Sequence, residues 1–355
     1  MANELGMLWA NKNEPQYEIN AANLTFMAPS LMCMDSRIFT PLTEQRGQIT
    51  MAGDFFTKIV NGGIHQGYRN GSALTFSPAT KLDQGSVLQA GTDYYIYLVR
   101  GSESASIVVS LNSTFPVGAS ADNSRKIGGF HTLCADAGTN IANHPLSGYM
   151  AGDILPQSVW DLIHRPECSP EGMVFHPDLQ FWVDIYMQSG SGSNTRSQFQ
   201  GTVTKSQSFD SHQEDLYKVG KQMLTDQEFT AAAWGTVPFS AVNGVADPIT
   251  TGGKINTAGQ RIISHIGCED TVGCYWQWID MSSCYMAGAL PTPAWTDAVP
   301  ADQGQQYMPL YSMLAGGSWS NGPFCGPRCR NANLSRSHVL TTIGCRGRAR
   351  SRATR

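Results

Sequence analysis

Ala315-Gly-Gly-Ser-Trp319 sets a large indole beside two residues without side chains. Glycine permits positive φ or a close backbone approach, and tryptophan supplies one large anchor, so this stretch reads as a packed, sharply turned junction. The segment that follows, Ser320 to Gly347, has weak periodicity and is dense in Asn, Ser, Arg and isolated apolar residues. It makes a poor core and reads as an adaptable, mostly loop-borne contact surface.

The 355 residues are 41% hydrophobic and only 15% charged, with 36 glycines. Low charge with ample aromatics argues against disorder. No apolar run approaches the length a membrane helix needs, and Met1-Ala-Asn-Glu-Leu5 has neither the basic nor the apolar region of a secretory leader. No membrane insertion is therefore expected. Net charge is -4, yet no acidic residue follows Asp302 and eight arginines fall between Arg328 and Arg355. That basic end lacks an aromatic stacking platform beyond Phe324, so no nucleic acid is expected as a partner.

The nine cysteines are odd in number and form no CxxC pair, which fits reduced thiols made in a reducing cytosol. No phosphate loop, HExxH or GxSxG elbow is present, and the eight histidines are scattered. No catalytic group, metal site or cofactor is expected.

Upstream, Thr92-Asp-Tyr-Tyr-Ile-Tyr-Leu-Val99, Ala105-Ser-Ile-Val-Val-Ser-Leu111 and Lys126-Ile-Gly-Gly-Phe-His131 read as strands of a small antiparallel sandwich, with close approach at the paired glycines. Ser158 to His164 reads as a helix ending before Pro166. Val183-Asp-Ile-Tyr-Met187 and Gly273 to Ile279 read as strands. Thr225 with Glu228 three residues later is a capping box, and the Ala231-Ala-Ala233 run favours a helix behind it. Six of the eight tryptophans lie between Trp160 and Trp295, so the larger core belongs to the C-terminal half. The fold class expected is α+β and β-rich, in three parts: an N-terminal β segment over 1–50, a β-sandwich over 51–145 and a larger domain over 146–355. A segment as short as the first buries little core alone, so it is expected to associate with copies of itself.

Gly316-Gly-Ser-Trp319, Arg328 and Gly344-Cys-Arg-Gly347 resemble the variable region of diversity-generating retroelement proteins. Gly220 to Glu228, Trp234-Gly-Thr236 and Gly273-Cys-Tyr-Trp-Gln-Trp278 fit the same family, whose C-type lectin-like fold is related to formylglycine-generating enzymes. Gly91-Thr-Asp-Tyr94, Arg125 to His131, Trp160 to Pro166 and Phe181 to Tyr186 are similar to its tail-fibre receptor-binding members.

The resemblance implies a variable region over 316–347 in a homotrimer borne on tail-fibre proteins. It places the chain at the fibre tip of a virion after synthesis in the host cytoplasm. The partner implied is a host cell-surface receptor, protein or glycan. Adenine-directed mutagenesis would vary Ser318, Ser320, Asn321, Gly322, Phe324, Asn331, Asn333, Leu334, His338, Leu340, Thr342 and Ile343, with Cys325 and Cys329 as weaker candidates. Trp319, Gly326, Arg328, Ala332, Ser335, Gly344 and Arg346 would hold the backbone while the variable side chains point outward. The motifs of calcium-dependent sugar binding are absent from the C-terminal part. Two other readings are a formylglycine-type oxidase using a cysteine pair and a cellular surface-displayed variable protein.

Overall fold

The computed structural model describes residues 31–352 apart from 34, 62–63, 102–103, 139–142, 245, 284–294, 298–304 and 308–310. Most of the N-terminal segment expected to associate, and Cys284, lie outside the described residues.

Two three-stranded sheets open the described chain. One joins β1 (Leu31–Met32), β4 (Phe55–Asn61) and β5 (Ile64–Asn70); the other joins β2 (Phe39–Pro41), β3 (Ile49–Met51) and β6 (Leu74–Phe76). The expected strands follow as β7 (Asp93–Arg100), β8 (Ala105–Ser110) and β9 (Ser124–His131), which β10 (Trp160–Asp161) extends into a sheet of order β10-β9-β7-β8.

Strand alternation explains why β7 is so uniformly apolar. Tyr94, Ile96 and Leu98 pack with Phe39, Ile49, Phe55 and Phe76 in one core. Tyr95 and Tyr97 point the other way, against Trp160, Met173, Phe175, Trp182 and Ala349. A strand buried on both faces needs no polar face, so it reads as a continuous apolar run.

The glycine pair in β9 makes room for that packing. A Cβ on Gly129 would lie 2.5 Å from the Tyr94 carbonyl and 2.8 Å from the Trp160 ring. The helix expected over Ser158 to His164 is instead a strand and a turn. Trp160 pairs with Gly129, and the Asp161 carboxylate accepts from the N–H groups of Ile38 (2.7 Å), Phe39 (3.1 Å), Ile163 (2.8 Å) and His164 (2.8 Å). A side chain that captures backbone donors in this way competes directly with helix formation.

The C-terminal part is built on two four-stranded sheets. The first has the order β11 (Met173–His176), β12 (Phe181–Asp184), β22 (Gly347–Arg350), β15 (Gln222–Met223). The second has the order β20 (Gly326–Ser335), β19 (Tyr311–Gly316), β16 (Trp276–Ser283), β21 (Ile343–Gly344). Two small ribbons pair β13 (Gln188–Ser189) with β14 (Arg196–Ser197), and β17 (Trp295–Asp297) with β18 (Gln305–Tyr307).

Helix α1 (Phe209–Lys218) starts at Ser208, whose side chain accepts from the Ser211 N–H. Helix α2 (Asp226–Ala232) starts at Thr225 with the capping box complete, as its sequence requires. The arginine-rich end is partly structural: β22 lies inside its sheet, with Ala349 in the core and Arg348 facing Glu228 at 3.4 Å. Among the described residues no helix is long and apolar enough to cross a membrane.

Buried histidines give the fold an acid limit. Burial lowers His144 and His212 to about 4, and His164 to about 3. The His212 Nε2 is buried without a partner among the described residues, while its Nδ1 faces Gln188 Oε1 at 2.7 Å. Below the ordinary histidine pKa of about 6.5 the unfolded chain binds protons that the native state refuses. This stability is present above that pH and is lost as the pH falls toward 4. Asp270, raised by burial to about 6, acts in the opposite direction. Unfolding free energy followed from pH 6.5 to 4.5 is expected to fall less steeply in His212→Gln. The difference in slope is at most about 1.4 kcal/mol per pH unit, approached near pH 5, and equal slopes would show that His212 takes up its proton as readily in the native state as in the unfolded one.

Candidate functional site

The junction at 315–319 turns as its glycines allow. Gly316 and Gly317 have φ of 91° and 86°, and a Cβ on Gly317 would lie 2.7 Å from the Cys325 sulfur. Gly317→Ala therefore combines backbone strain with a clash, and a loss of about 2 kcal/mol or more is expected on thermal unfolding. A melting temperature equal to the parent's would mean the turn relaxes freely.

Beyond the glycines the chain folds over its own side chains. The Asn321 Oδ1 accepts from the Ser318 N–H (2.9 Å) and Oγ–H (2.6 Å), and the Trp319 N–H donates to the Cys274 carbonyl (3.1 Å). Ser318 is thus buried and holds the turn, a correction to its expected outward position. Trp319 is half-buried rather than a central anchor, its ring edge-on to Tyr275 at 5.0 Å. Phe324 closes the turn and is 74% exposed.

The following residues were expected to be mostly loop, yet Gly326–Ser335 is one strand. Its pairing with β19 slips twice, between Ser312 and Leu314 and between Ala315 and Gly316, which erases the alternation a regular strand shows in sequence. The strand lies at the edge of its sheet, and that edge is blunted. Pro327 has no N–H, and the Arg330 guanidinium donates to the Pro327 (2.8 Å) and Cys329 (2.9 Å) carbonyls. This edge is poorly suited to pairing with an added strand.

Two arginines pin this strand and the loop after it to the helices. Arg330 pairs with Asp226 in the first turn of α2, donates to Thr230 Oγ1 (2.6 Å) and lies over the Phe229 ring at 5.1 Å. Arg336 pairs with Asp210 in the first turn of α1 and lies over the Phe209 ring at 4.2 Å. The same device, a first-turn aspartate with a neighbouring phenylalanine, is used twice. Sequence reading missed both arginines; acidic residues in first helical turns were the available signal.

The other named positions divide by exposure. Ser320, Asn333, His338 and Leu340 are exposed with Phe324. Asn321, Gly322, Asn331, Leu334 and Thr342 are half-buried; Leu334 packs against the cluster of Phe209, Trp278 and Leu314. Ile343 is fully buried in that cluster, a second correction: β21 pairs with β16 at the end of its sheet, where Phe209 and Leu216 of α1 belong to the same cluster and cover it.

Of the arginines expected to hold the backbone, Arg346 does so. It is buried and donates from Nη1 to the Asp184 (2.6 Å) and Ile185 carbonyls, from Nη2 to the Glu269 carbonyl, and from Nε to Gln277 Oε1 (3.2 Å). Arg328 is exposed and has no hydrogen-bond or ion-pair partner among the described residues.

One surface groove of about 1030 Å³ runs along this face. One wall is Pro323 to Arg330; the other is Trp234 to Phe239, with Gln260 and His265. Sequence reading missed this second wall as a site, since it comes from a distant part of the chain. Among the described residues no cluster of His, Cys, Asp and Glu fits a metal ion.

Comparison with known proteins agrees with this architecture. Residues 42–161 match the family described as the Mtd second domain. The tail fiber receptor-binding protein of Bordetella phage BPP-1 is 27% identical over 308 residues, 78% of this chain and 76% of that protein. The solved structure of the Major Tropism Determinant U1 variant superposes with a TM-score of 0.72 at 23% identity, covering 92% of this chain and 87% of that one. The M1 variant gives a TM-score of 0.73 at 22% identity, covering 93% and 88%. The chain resembles the phage major tropism determinant, and its β-rich fold is the one those structures share.

Proposed function

We propose that this chain is a host-attachment protein of the phage tail-fibre type, binding a cell-surface receptor through the face formed by residues 320–342. The observation that carries this reading is the division of labour between Gly316 and Gly347. Ser318, Cys325, Ile343 and Arg346 are buried frame, while Ser320, Phe324, Asn333, His338 and Leu340 project from it. A frame of this kind tolerates substitution at the projecting positions without loss of fold, as diversification by a retroelement demands.

The homotrimer, attachment to other tail-fibre proteins, location at the fibre tip of the virion and synthesis in the host cytoplasm belong to the same proposal. So does the division into an N-terminal trimerisation segment (1–50), a sandwich (51–145) and a C-type lectin-like domain (146–355). The likeness to a phage protein favours a virus-borne role over a cellular display protein.

A binding role also suits the thiols. Burial pushes Cys325 up to about 12 and raises Cys329 and Cys345, which leaves these thiols protonated and poor nucleophiles for an oxidase. The test is attachment of the purified protein to candidate host cells, read by flow cytometry beside light scattering. Saturable attachment by a trimer is expected. A monomer at micromolar concentration, or no attachment to any candidate host, would contradict the proposal.

A further inference from the structure

The groove on this face has an unequal origin. Its Pro323–Arg330 wall lies inside the region expected to vary, whereas Trp234, Pro238, Phe239, Gln260 and His265 lie outside it. Trp234 is 59% and Phe239 75% exposed, and they face a Phe324 almost as exposed. Exposed aromatics gathered in one concave place mark a contact site.

The outlying wall is held ready. The Phe239 N–H donates to the Cys325 carbonyl (2.7 Å), tying the two walls at one end. The His265 N–H donates to the Trp234 carbonyl (2.9 Å), and Thr236 Oγ1 meets Thr271 Oγ1 at 2.7 Å. Gly235, at φ 90°, packs so closely on His265 that a Cβ would overlap the ring. Phe239 itself has a φ of 63°, a left-handed conformation unusual for a bulky residue and one that keeps its ring in solvent.

Charge and hydrogen-bonding capacity narrow the occupant. Among the described residues no Asp or Glu lines this groove; Asp178 and Asp226 line the adjoining hollow, which shares Trp234, His265, Arg328 and Arg330 with it. Arg330 is spent on Asp226, while the Arg328 guanidinium has no hydrogen-bond or ion-pair partner among the described residues. Thr236 is used internally and Gln260 Oε1 accepts from Asn256 (3.4 Å), so the Gln260 amide N–H groups, the His265 ring and Arg328 are the side-chain groups left to meet a polar ligand. A sugar would bring more hydroxyls than these three groups can pair. An apolar peptide side chain would not, and a carboxylate beside it would meet Arg328.

We propose that the Trp234–Phe239 wall is a constant half-site, shared by every diversified version of the protein, that receives a segment of a protein receptor carrying an apolar side chain next to a carboxylate. This rests on the receptor-binding reading and adds the class of partner to it. The constant wall supplies affinity independent of the varied residues, and the varied wall selects among receptors that present such a segment.

The test uses the full chain and cells that it binds. Phe239→Asn keeps a residue that tolerates positive φ, and Trp234→Gln keeps an exposed polar side chain; each is expected to weaken attachment about tenfold or more while leaving melting temperature and particle mass unchanged. Arg328→Gln is expected to weaken attachment, Arg328→Glu to abolish it, and Arg328→Lys to retain part of it. Cells shaved with proteinase should lose attachment, and cells oxidised with periodate should keep it.

Attachment lost on periodate and kept after proteinase would make the site a glycan site and overturn the proposal. A changed particle mass in Phe239→Asn would make the face a contact between copies, with the same consequence. Attachment that is lost on serine substitution at Phe324, Asn333, His338 and Leu340, yet unchanged by Phe239→Asn and Trp234→Gln, would overturn the constant half-site alone. Absence of attachment by the parent would instead overturn the receptor-binding reading beneath it.

Discussion

Replacing Arg346 with Ala is expected to cost about 4 kcal/mol or more in unfolding free energy, enough to leave little folded protein if the total lies near the usual 5–15 kcal/mol. The guanidinium satisfies three backbone carbonyls, on Asp184, Ile185 and Glu269, and the Gln277 side chain, all within the interior. Each acceptor left without a donor costs about 1–3 kcal/mol, and the volume left behind adds a cavity penalty. These contacts join the loop after β12, the segment before β16 and the approach to β22, so the loss is not confined to one loop. Arg328→Ala serves as the reference. Its side chain is exposed and unpartnered among the described residues, and a change within about 0.5 kcal/mol is expected. Urea denaturation of the two variants side by side is the measurement. Equal stabilities would mean that the buried guanidinium is not what fixes the frame.

The opposite pattern is expected on the projecting face. Simultaneous replacement of Phe324, Asn333, His338 and Leu340 with Ser should leave the melting temperature close to that of the parent, since all four are exposed. Attachment to host cells should fall by about a hundredfold or more, because binding energy concentrates in a few large side chains and Phe324 and Leu340 are the largest here. Adding Ile343→Ser should instead destabilise the protein by about 2 kcal/mol or more, since that side chain is fully buried beside Phe209 and Trp278. Attachment that survives the four serines would place recognition elsewhere.

The contrast between Leu340 and Ile343 shows where sequence reading reaches and where it stops. The family resemblance implies which positions would vary, but not which way a side chain points. Ser318 and Ile343 fit the pattern of variation and are nonetheless frame. Local signals were legible: the Thr225–Glu228 capping box, the Gly128–Gly129 pair and the apolar run of β7 all depend on neighbours in sequence. Trp160 was misread because its conformation is decided by Gly129, thirty-one residues earlier, and by an aspartate that captures backbone donors from β2. β20 was misread as loop because two register slips break its alternation. The Trp234–Phe239 wall was invisible as a site because only folding sets it opposite Pro323–Arg330.

On the proposed function, the residues projecting from the 316–347 frame decide attachment. The most direct test is selection of variants that attach to a cell type the parent does not bind, from a library randomised across the whole chain. The selected changes are expected to concentrate at Ser320, Phe324, Asn331, Asn333, His338, Leu340 and Thr342, and to spare Ser318, Ile343 and Arg346. Selected changes that cluster instead in the sandwich of β7 to β10, or that fall evenly across buried and exposed positions of 316–347, would contradict this reading.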